Sequence, residues 1–288
     1  MTHPVALTIA GSDPSGGAGL QADLKTFHQH RVYGMSAVTL LTVQNTTGVD
    51  RVDVLDPRLV VAQIDAVTCD IPPGVAKTGA LGSREVVEAV ADRAARFPFP
   101  LVVDPVMISK HGASLLPPDA QRALARLLLP HATLVTPNAP EAAALSGRPV
   151  RTLADAREAA RTIAGAGARA VLVKGGHIEG DAIDVLYADG ALVELHAPRV
   201  DTRAGHGTGC SYAAAIAAWL ARGASLEDAV RRAKRWLTAA LASAPGLGRG
   251  VGPVNHFAPA DPLDPLDPLD PLDVNPSGLG GGVQPSSA

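Results

Sequence analysis

Cysteines and aromatic residues are scarce in this chain, which has two cysteines in 288 residues and an aromatic content of 3%. Two cysteines far apart in the sequence, without a signal peptide before them, argue against a disulfide scaffold and favour a reducing compartment. We therefore expect a cytoplasmic protein. So few aromatic side chains also argue against a stacking platform for single-stranded nucleic acid.

The chain also lacks an excess of charge of one sign and long apolar runs. Its formal net charge is −3, which suggests no broad basic face for nucleic acid. No uninterrupted apolar run is long enough to cross a bilayer, so we expect no membrane partner. With 47% hydrophobic and 18% charged residues, the composition is typical of a globular protein whose length accommodates one α/β domain or two.

Short apolar segments that favour β-strands alternate with segments of helical pattern. Strands are predicted at residues 5–10, 36–43, 75–78, 101–103, 134–135 and 170–173, and a hairpin at 183–187 and 191–196. Helices are predicted at residues 20–30, 58–68, 83–96, 117–129, 152–166, 208–222 and 226–242, and residues 136–141 are predicted to open a further short helix. This alternation predicts an α/β fold with a mostly parallel sheet covered by helices on both faces. Glycine and polar residues follow the predicted strands, at the edge where such sheets bind ligands: Gly11, Gln44, Gly79, Asp104, Asn138 and Lys174.

The last residues of the chain have a different composition. An Asp-Pro-Leu unit repeats four times over residues 261–272, and Gly, Ser, Pro and Asn dominate from there to Ala288. Repeated proline excludes helix and regular strand. We therefore predict one folded domain over residues 1–257 and a disordered or extended tail over 258–288. A partner-docking segment is the alternative, with leucine as its only apolar anchor.

A glycine-rich loop leads into the small-residue helix predicted at 208–222. Gly205, Gly207 and Gly209 let the backbone approach a ligand closely, and the first amides of a helix have no internal partners. Such a loop favours an anion, most often phosphate. Cys210 lies in the first turn, where the same field favours a thiolate, so it is a candidate base. The alternative is a turn packed under a buried, alanine-rich helix.

A second glycine-rich loop, at residues 11–19, matches two nucleotide-binding patterns incompletely. A P-loop would need Lys and Ser or Thr where Gly17 and Ala18 stand. A dinucleotide-binding loop would need an acidic residue about 20 positions further on, and Gln44 and Asn45 stand there instead. Both patterns are therefore disfavoured. What remains is a flexible loop over the sheet edge, followed by Asp23 on the next helix. The alternative for Asp23 is a plain surface acid near a helix N-terminus, with no role in binding.

Asp104 and Glu141 both follow predicted strands at the same sheet edge. Two carboxylates placed in this way can hold Mg²⁺, usually through water, beside a nucleotide phosphate. Each alone is more typical of a helix cap or an ion pair. Together with Lys174 and the loop before Cys210, they supply the metal, the cationic charge and the amides that phosphoryl transfer needs. His177 and His206 have no second histidine at metal spacing, so we expect structural or phosphate-contacting roles, and Cys69 is expected to be a small core residue.

Several segments, taken in order, resemble the hydroxymethylpyrimidine/phosphomethylpyrimidine kinases of thiamine synthesis. They are residues 8–27 (TIAGSDPSGGAGLQADLKTF), 42–46 (TVQNT), 77–79 (KTG), 104–107 (DPVM), 136–142 (TPNAPEA), 174–177 (KGGH) and 206–210 (HGTGC). The resemblance covers about residues 5–241. It implies a ribokinase-like fold, a homodimer, ATP and Mg²⁺ as cofactors, and a small-molecule pyrimidine as the substrate.

The same resemblance implies a role for individual residues. It assigns the pyrimidine site to Asp23, Gln44, Val106 and Met107, with Gly11 and Ala18 lining it. It places Asp104 and Glu141 near Mg²⁺, Lys174 and Asn138 near the nucleotide phosphates, an anion hole at Gly207, Thr208 and Gly209, and Cys210 at the position of the base. One position departs from the family pattern, because Ala80 stands where the family commonly has methionine. We expect this smaller side chain to enlarge the pocket for the ring.

The function implied by this resemblance is phosphorylation of 4-amino-5-hydroxymethyl-2-methylpyrimidine to its monophosphate and then to its diphosphate. A pyridoxal kinase of the same fold is the nearest alternative, since pyridoxal also carries a hydroxymethyl group on a ring. A relative that binds the ligand without turnover is a second alternative. An NAD-dependent dehydrogenase is disfavoured by the missing acidic residue near Gln44.

Overall fold

The computed structural model describes residues 3–109, 112–178 and 181–260. The Asp-Pro-Leu repeats, and with them most of the predicted tail, lie outside the described residues. None of the helices in the described part of the chain has both the length and the apolar character that a bilayer crossing requires.

A single sheet of nine strands, counted over the described residues, organises the domain. The strands are β1 Val5–Ser12, β2 Tyr33–Asn45, β3 Gly48–Val54, β4 Val75–Thr78, β5 Leu101–Val103, β6 Leu134–Val135, β7 Ala170–Val173, β8 Asp184–Ala188 and β9 Ala191–Leu195. Their order across the sheet is β3-β2-β1-β4-β5-β6-β7-β8-β9. All neighbours from β2 to β7 are parallel, whereas β3, β8 and β9 pair antiparallel at the two edges. The parallel strands therefore bring their carboxyl ends to one edge.

Helices follow the strands in the order that the sequence predicts. They are α1 Gly19–Gln29, α2 Pro57–Asp70, α3 Arg84–Ala94, α4 Pro118–Ala123, α5 Ala139–Ser146, α6 Leu153–Gly165, α7 Thr208–Ala221 and α8 Leu226–Ala242. Local sequence explains several of their starts: Ser83 caps α3, and Asn138 and Thr152 form capping boxes at α5 and α6. These caps fix where the chain leaves the sheet edge and turns into each helix.

The sheet separates two apolar cores. Leu7, Ile9 and Val103 face the core that α2, α3, α5 and α6 cover. Phe27, Trp236 and the fully buried alanines of α7 belong to the opposite core, which α1, α7 and α8 cover. Short side chains on α7 allow this helix to pack closely on the sheet. The layered, mostly parallel arrangement confirms the predicted fold class.

Three sequence expectations need correction. Strand β3 was not predicted, because its residues carry charges on the exposed face and no apolar run marks it. The folded chain continues past the predicted boundary at residue 257, since Ala258 and Ala260 are buried and the Trp236 indole donates to the Ala258 carbonyl at 3.1 Å. Cys69 is exposed near the end of α2 and is not a core residue.

Candidate active site

A cavity of about 760 Å³ opens at the carboxyl ends of the parallel strands. It extends from the loop after β1, past the end of β2, to the loops after β7 and before α7. Most of the predicted site residues line it: Gly11, Ala18, Gln44, Asp104, Val106, Met107, Asn138, Glu141, Lys174, Gly207, Thr208, Gly209 and Cys210. Ala80 also lines the cavity. One predicted site residue, Asp23, is not among the lining residues.

The glycine loop before α7 forms the centre of the cavity wall. Gly207 is the N-cap residue and adopts φ 71°, a left-handed conformation that favours glycine. A Cβ at Gly207 would also collide with the carbonyl oxygen of Gly17. At Gly209 a Cβ would lie 3.0 Å from the Nζ of Lys174. The first amides of α7 and the Lys174 ammonium are therefore close together, as an anion-binding site requires.

Lys174, which follows β7, is held beside Asp104, which follows β5. Its Nζ donates to Oδ1 of Asp104 at 2.9 Å, and the hydroxyl of Thr136 donates to the same oxygen at 3.2 Å. Burial alone would lower the pKa of Lys174, but the carboxylates of Asp104 and Glu141 raise it. Lys174 therefore stays charged and supplies a fixed positive charge at the anion-binding loop.

Glu141 is buried at the start of α5, where it completes a capping box. Its Oε2 accepts from the Asn138 amide at 2.8 Å, and Oδ1 of Asn138 accepts from the Glu141 amide at 2.9 Å. Burial and the neighbouring carboxylate of Asp104 raise the pKa of Glu141 to about 7, although Lys174 opposes this. A carboxylate with such a pKa would be stabilised by a further cation.

Asp104 and Glu141 fit a Mg²⁺ ion that keeps most of its water ligands, as this ion usually does beside a nucleotide. Among the described residues, no group of three or more His, Cys, Asp or Glu side chains could hold a metal. Mg²⁺ commonly keeps several waters and binds one or two carboxylates plus phosphate oxygens. Asp104 and Glu141 therefore suit an ion held largely by water and nucleotide phosphates.

Cys210 lines the cavity from the first turn of α7, but its protonation state differs from the sequence expectation. Burial raises the pKa of the thiol to about 12, and the carboxylates of Asp104 and Asp23 add to the rise while Lys77 opposes it. The free protein therefore carries a thiol here rather than the expected thiolate. The positive end of α7 does not offset the loss of solvation and the two negative charges.

Asp23 lies beneath the cavity, not on its wall. Both of its carboxylate oxygens accept from Nζ of Lys77, at 2.9 and 2.8 Å, and the Thr8 hydroxyl donates to Oδ2 at 2.6 Å. The side chains of Asp23 and Lys77 are fully buried. Burial would lower the pKa of Lys77, but Asp23 raises it, with smaller contributions from Cys210 and Asp104. The expected contact between Asp23 and the ring is thus replaced by an ion pair under the site.

Two polar clusters at the cavity were not predicted. Asp184 accepts from the Gly175 amide, the Tyr212 hydroxyl and the Lys234 ammonium at 2.7, 2.9 and 2.7 Å, and so holds the turn after Lys174. Asp184 and its three partners come from four separate segments, so no local spacing could reveal them. The second cluster centres on Asp13, whose Asp-Pro-Ser context is typical of a side chain that caps its own loop. The side chain of His177 lies outside the described part.

Helix amides, a lysine and two carboxylates around one cavity at a parallel sheet edge define a small-molecule phosphotransferase with a ribokinase-like fold. A family model described as phosphomethylpyrimidine kinase matches residues 13–255, and the chain belongs to this family. The resemblance seen in the sequence is thereby confirmed. The protein is a kinase of a family that uses ATP as its substrate.

Relatives with curated names support the same placement. The hydroxymethylpyrimidine/phosphomethylpyrimidine kinase of Rhizobium meliloti is 49% identical over 257 residues, 88% of this chain and 97% of that protein. The thiamine biosynthesis bifunctional protein of Geobacter sulfurreducens is 48% identical over 257 residues, and the match spans only 52% of its length.

Solved structures show the same fold with two named activities. An ADP complex of Bacillus subtilis pyridoxal kinase has a TM-score of 0.84 at 39% identity, covering 89% of this chain and 98% of that one. The phosphomethylpyrimidine kinase of Clostridium difficile has a TM-score of 0.73 at 40% identity, covering 82% and 98%.

Proposed function

We propose that this protein transfers the γ-phosphoryl group of ATP to the hydroxymethyl oxygen of 4-amino-5-hydroxymethyl-2-methylpyrimidine, and then converts the monophosphate into the diphosphate. The observation that carries the proposal is the position of Lys174 against the start of α7, in the same cavity as Gln44. The site thus combines a phosphate end with a ring end. The family match supports the choice of substrate.

At the phosphate end, the chain supplies fixed positive charge. The amides of Gly207, Thr208 and Gly209 and the Lys174 ammonium would stabilise the charge on the oxygens of the transferring group. Asp104 orients Lys174 through their 2.9 Å ion pair. Asp104 and Glu141 would hold Mg²⁺, which supplies charge neutralisation between the nucleotide phosphates when bound.

Cys210 is our candidate for the group that contacts the attacking hydroxymethyl oxygen. Because its pKa is raised to about 12 by burial and nearby carboxylates, it would act as a neutral hydrogen-bonding thiol when substrate arrives. A loose phosphoryl transition state needs little removal of the proton before the new bond forms. The thiol sulfur accepts a hydrogen bond from the hydroxyl and orients it, and the hydroxyl proton passes to an oxygen of the transferred phosphoryl group as the new O–P bond forms and the bond to ADP breaks.

At the ring end, one amide and a set of apolar side chains would bind the substrate. Gln44 lies near the end of β2, and no hydrogen bond to its side-chain amide occurs within residues 3–109, 112–178 and 181–260. A free amide can donate and accept at once, so it can pair with the amino group and ring nitrogen of an aminopyrimidine. Val106 and Met107 line the same cavity and would provide apolar contact, and Gly11 and Ala18 would leave room for the ring.

Pyridoxal phosphorylation is the second candidate function, and one observation favours it. Ala80 lines the ring end with a small side chain, which leaves space for a bulkier ring. A pyridoxal kinase is also among the similar solved structures. The two hydrogen bonds that the Gln44 amide can form with an amino group and a ring nitrogen favour the aminopyrimidine over pyridoxal.

The test is substrate-dependent ADP release with the hydroxymethylpyrimidine, its monophosphate and pyridoxal, each measured with and without Mg²⁺. We expect turnover of the two pyrimidines with the higher kcat/KM and a strict need for the divalent ion. A higher kcat/KM for pyridoxal would establish the second candidate. No turnover of any of the three would favour a ligand-binding relative.

We also propose a homodimer in the cytoplasm. Leu41 and Val43 on β2, next to the edge strand β3, are 48% and 53% exposed on one face of the sheet, and a second copy could cover them. Sedimentation equilibrium of the wild type and a Leu41→Glu, Val43→Glu variant would test this. A monomeric wild type would contradict the dimer.

A further inference from the structure

The loop between β1 and α1 is folded around the carboxylate of Asp13. Oδ1 accepts from the amide and hydroxyl of Ser15 at 2.8 and 2.7 Å, and Oδ2 accepts from the amides of Gly17 and Ala18 at 3.2 and 2.8 Å. Burial would raise the pKa of Asp13, but hydrogen bonds from His206 and Ser15 lower it to about 2. The carboxylate therefore fills the amide nest that a phosphate would otherwise occupy.

The same carboxylate reaches the loop before α7. The Nε2 of His206 lies 2.7 Å from Oδ2 of Asp13, although the two residues are 193 positions apart. Their side chains are 5% and 1% exposed, so solvent screens this contact little. Asp13 thus connects the loop at residues 11–19 to the anion-binding loop at residues 205–209.

Backbone contacts make the junction tight. The carbonyl of Gly17 lies against Gly207, where any Cβ would collide with it, and a Cβ at Gly17 would meet the His206 ring and Pro253. On the other side, the His206 amide donates to the Gly252 carbonyl at 3.1 Å. A change in the Asp13–His206 contact would therefore move Gly207 and the amides that follow it.

We propose that Asp13 and His206 are positioning residues. Their contact holds the loop at residues 11–19 and the anion-binding amides of residues 207–209 in a fixed relative position before the substrates bind. The proposal rests on the kinase function proposed above. It also implies that the glycine-rich loop at 11–19 binds no nucleotide phosphate, since its amides are already used by Asp13. Misplacement of catalytic groups by about 1 Å can lower a rate by about 100-fold, so the pair has a measurable effect.

The first test is kinetic and uses Asp13→Asn, His206→Asn and the double variant. We expect each single variant to lower kcat about 10- to 100-fold, with KM for ATP changed less than about threefold. Because both act through one contact, the double variant should be no slower than the slower single variant, whereas independent sites would give the product of the two losses. His206→Gln should recover part of kcat, since its amide nitrogen lies close to where Nε2 lies and can still donate to Asp13.

Asp56→Asn and His131→Asn are the matched controls. Asp56 accepts from the Arg58 amide at the exposed start of α2, and His131 is exposed between α4 and β6. Both should keep wild-type kcat. Multiplicative losses in the double variant, or Gln no better than Asn at position 206, would overturn the proposal.

The second test does not depend on turnover. Hydrogen exchange of the whole chain should show that His206→Asn speeds exchange of the amides at 15–18 and that Asp13→Asn speeds exchange of the amides at 204–208, each about fivefold or more. Exchange confined to the mutated loop would refute the coupling. If the wild type phosphorylates no ring substrate, the kinase function fails, while reciprocal exchange would still establish the junction.

Discussion

Replacing Glu141 by glutamine should stabilise the protein at alkaline pH and weaken its use of Mg²⁺. Glu141 is 6% exposed beside Asp104, and burial with this neighbour raises its pKa to about 7 from the ordinary 4.5. The fold therefore binds this proton more tightly than the unfolded chain does. The stability that the protonated group contributes is present below pH 4.5 and is lost as the pH rises through 7.

The size of the effect follows from the same shift. Each pKa unit corresponds to about 1.4 kcal/mol, so the rise from 4.5 to about 7 means that the ionised form costs at most about 3.5 kcal/mol at pH 8. A chain of this size shifts its Tm by about 2–4 °C per kcal/mol, which predicts a gain of several degrees and about 14 °C at most. Gln keeps the shape and can still accept from the Asn138 amide at the start of α5, so the capping box is retained.

The assay is thermal unfolding in EDTA at pH 5 and pH 8, followed by the Mg²⁺ dependence of the rate. We expect Glu141→Gln to raise Tm relative to the wild type more at pH 8 than at pH 5. Its Mg²⁺ requirement should rise about fivefold, because one charge at ~4 Å contributes ~1 kcal/mol even in water. Glu88→Gln, which removes an exposed charge paired with Arg84, is the matched control and should change neither quantity. An equal Tm difference at both pH values, or an unchanged Mg²⁺ requirement, would refute the reasoning.

Three further predictions concern the ring, the thiol and the end of the chain. Gln44→Leu should lower kcat/KM for the aminopyrimidine about tenfold or more and affect pyridoxal much less, because an unpaired polar group costs about 1–3 kcal/mol; equal losses would mean that Gln44 only supports its loop. Cys210→Ala should lower kcat by about 100-fold, because the hydroxymethyl oxygen loses the group that orients it, while ADP binding, measured by calorimetry, stays within about threefold of the wild type; near-normal turnover would leave Cys210 as a packing residue. A chain ending after Ala260 should keep its kcat and Tm, since Ala258 and Ala260 complete the packed core; a large drop in either would show that the tail contributes to the fold.

Sequence periodicity was enough to predict the sheet and the edge at which the cavity opens. Residues that follow a strand end directly, such as Asp104 and Lys174, line the cavity because parallel strands share that edge. Strand β3 was not predicted because none of its residues is buried and its sequence has no apolar run that would indicate a strand.

Long-range pairing accounts for what the sequence did not reveal at the site. Asp23 was expected on the cavity wall, yet Lys77, 54 residues away, holds it in the interior. The Cys210 thiol was expected to ionise because its helix start is visible in the sequence, whereas the carboxylates that raise its pKa arrive from distant segments. Local pattern therefore indicates which residues reach the edge, and tertiary packing decides their charge and orientation.

The most direct test of the central claim is phosphorus NMR of the product formed from 4-amino-5-hydroxymethyl-2-methylpyrimidine with excess ATP and Mg²⁺. Our account predicts a phosphate monoester signal that appears first and then gives way to the two coupled signals of a diphosphate. The same experiment with pyridoxal should give a monoester, more slowly. Hydrolysis of ATP to inorganic phosphate with no ester of the pyrimidine, or a faster ester of pyridoxal, would contradict it.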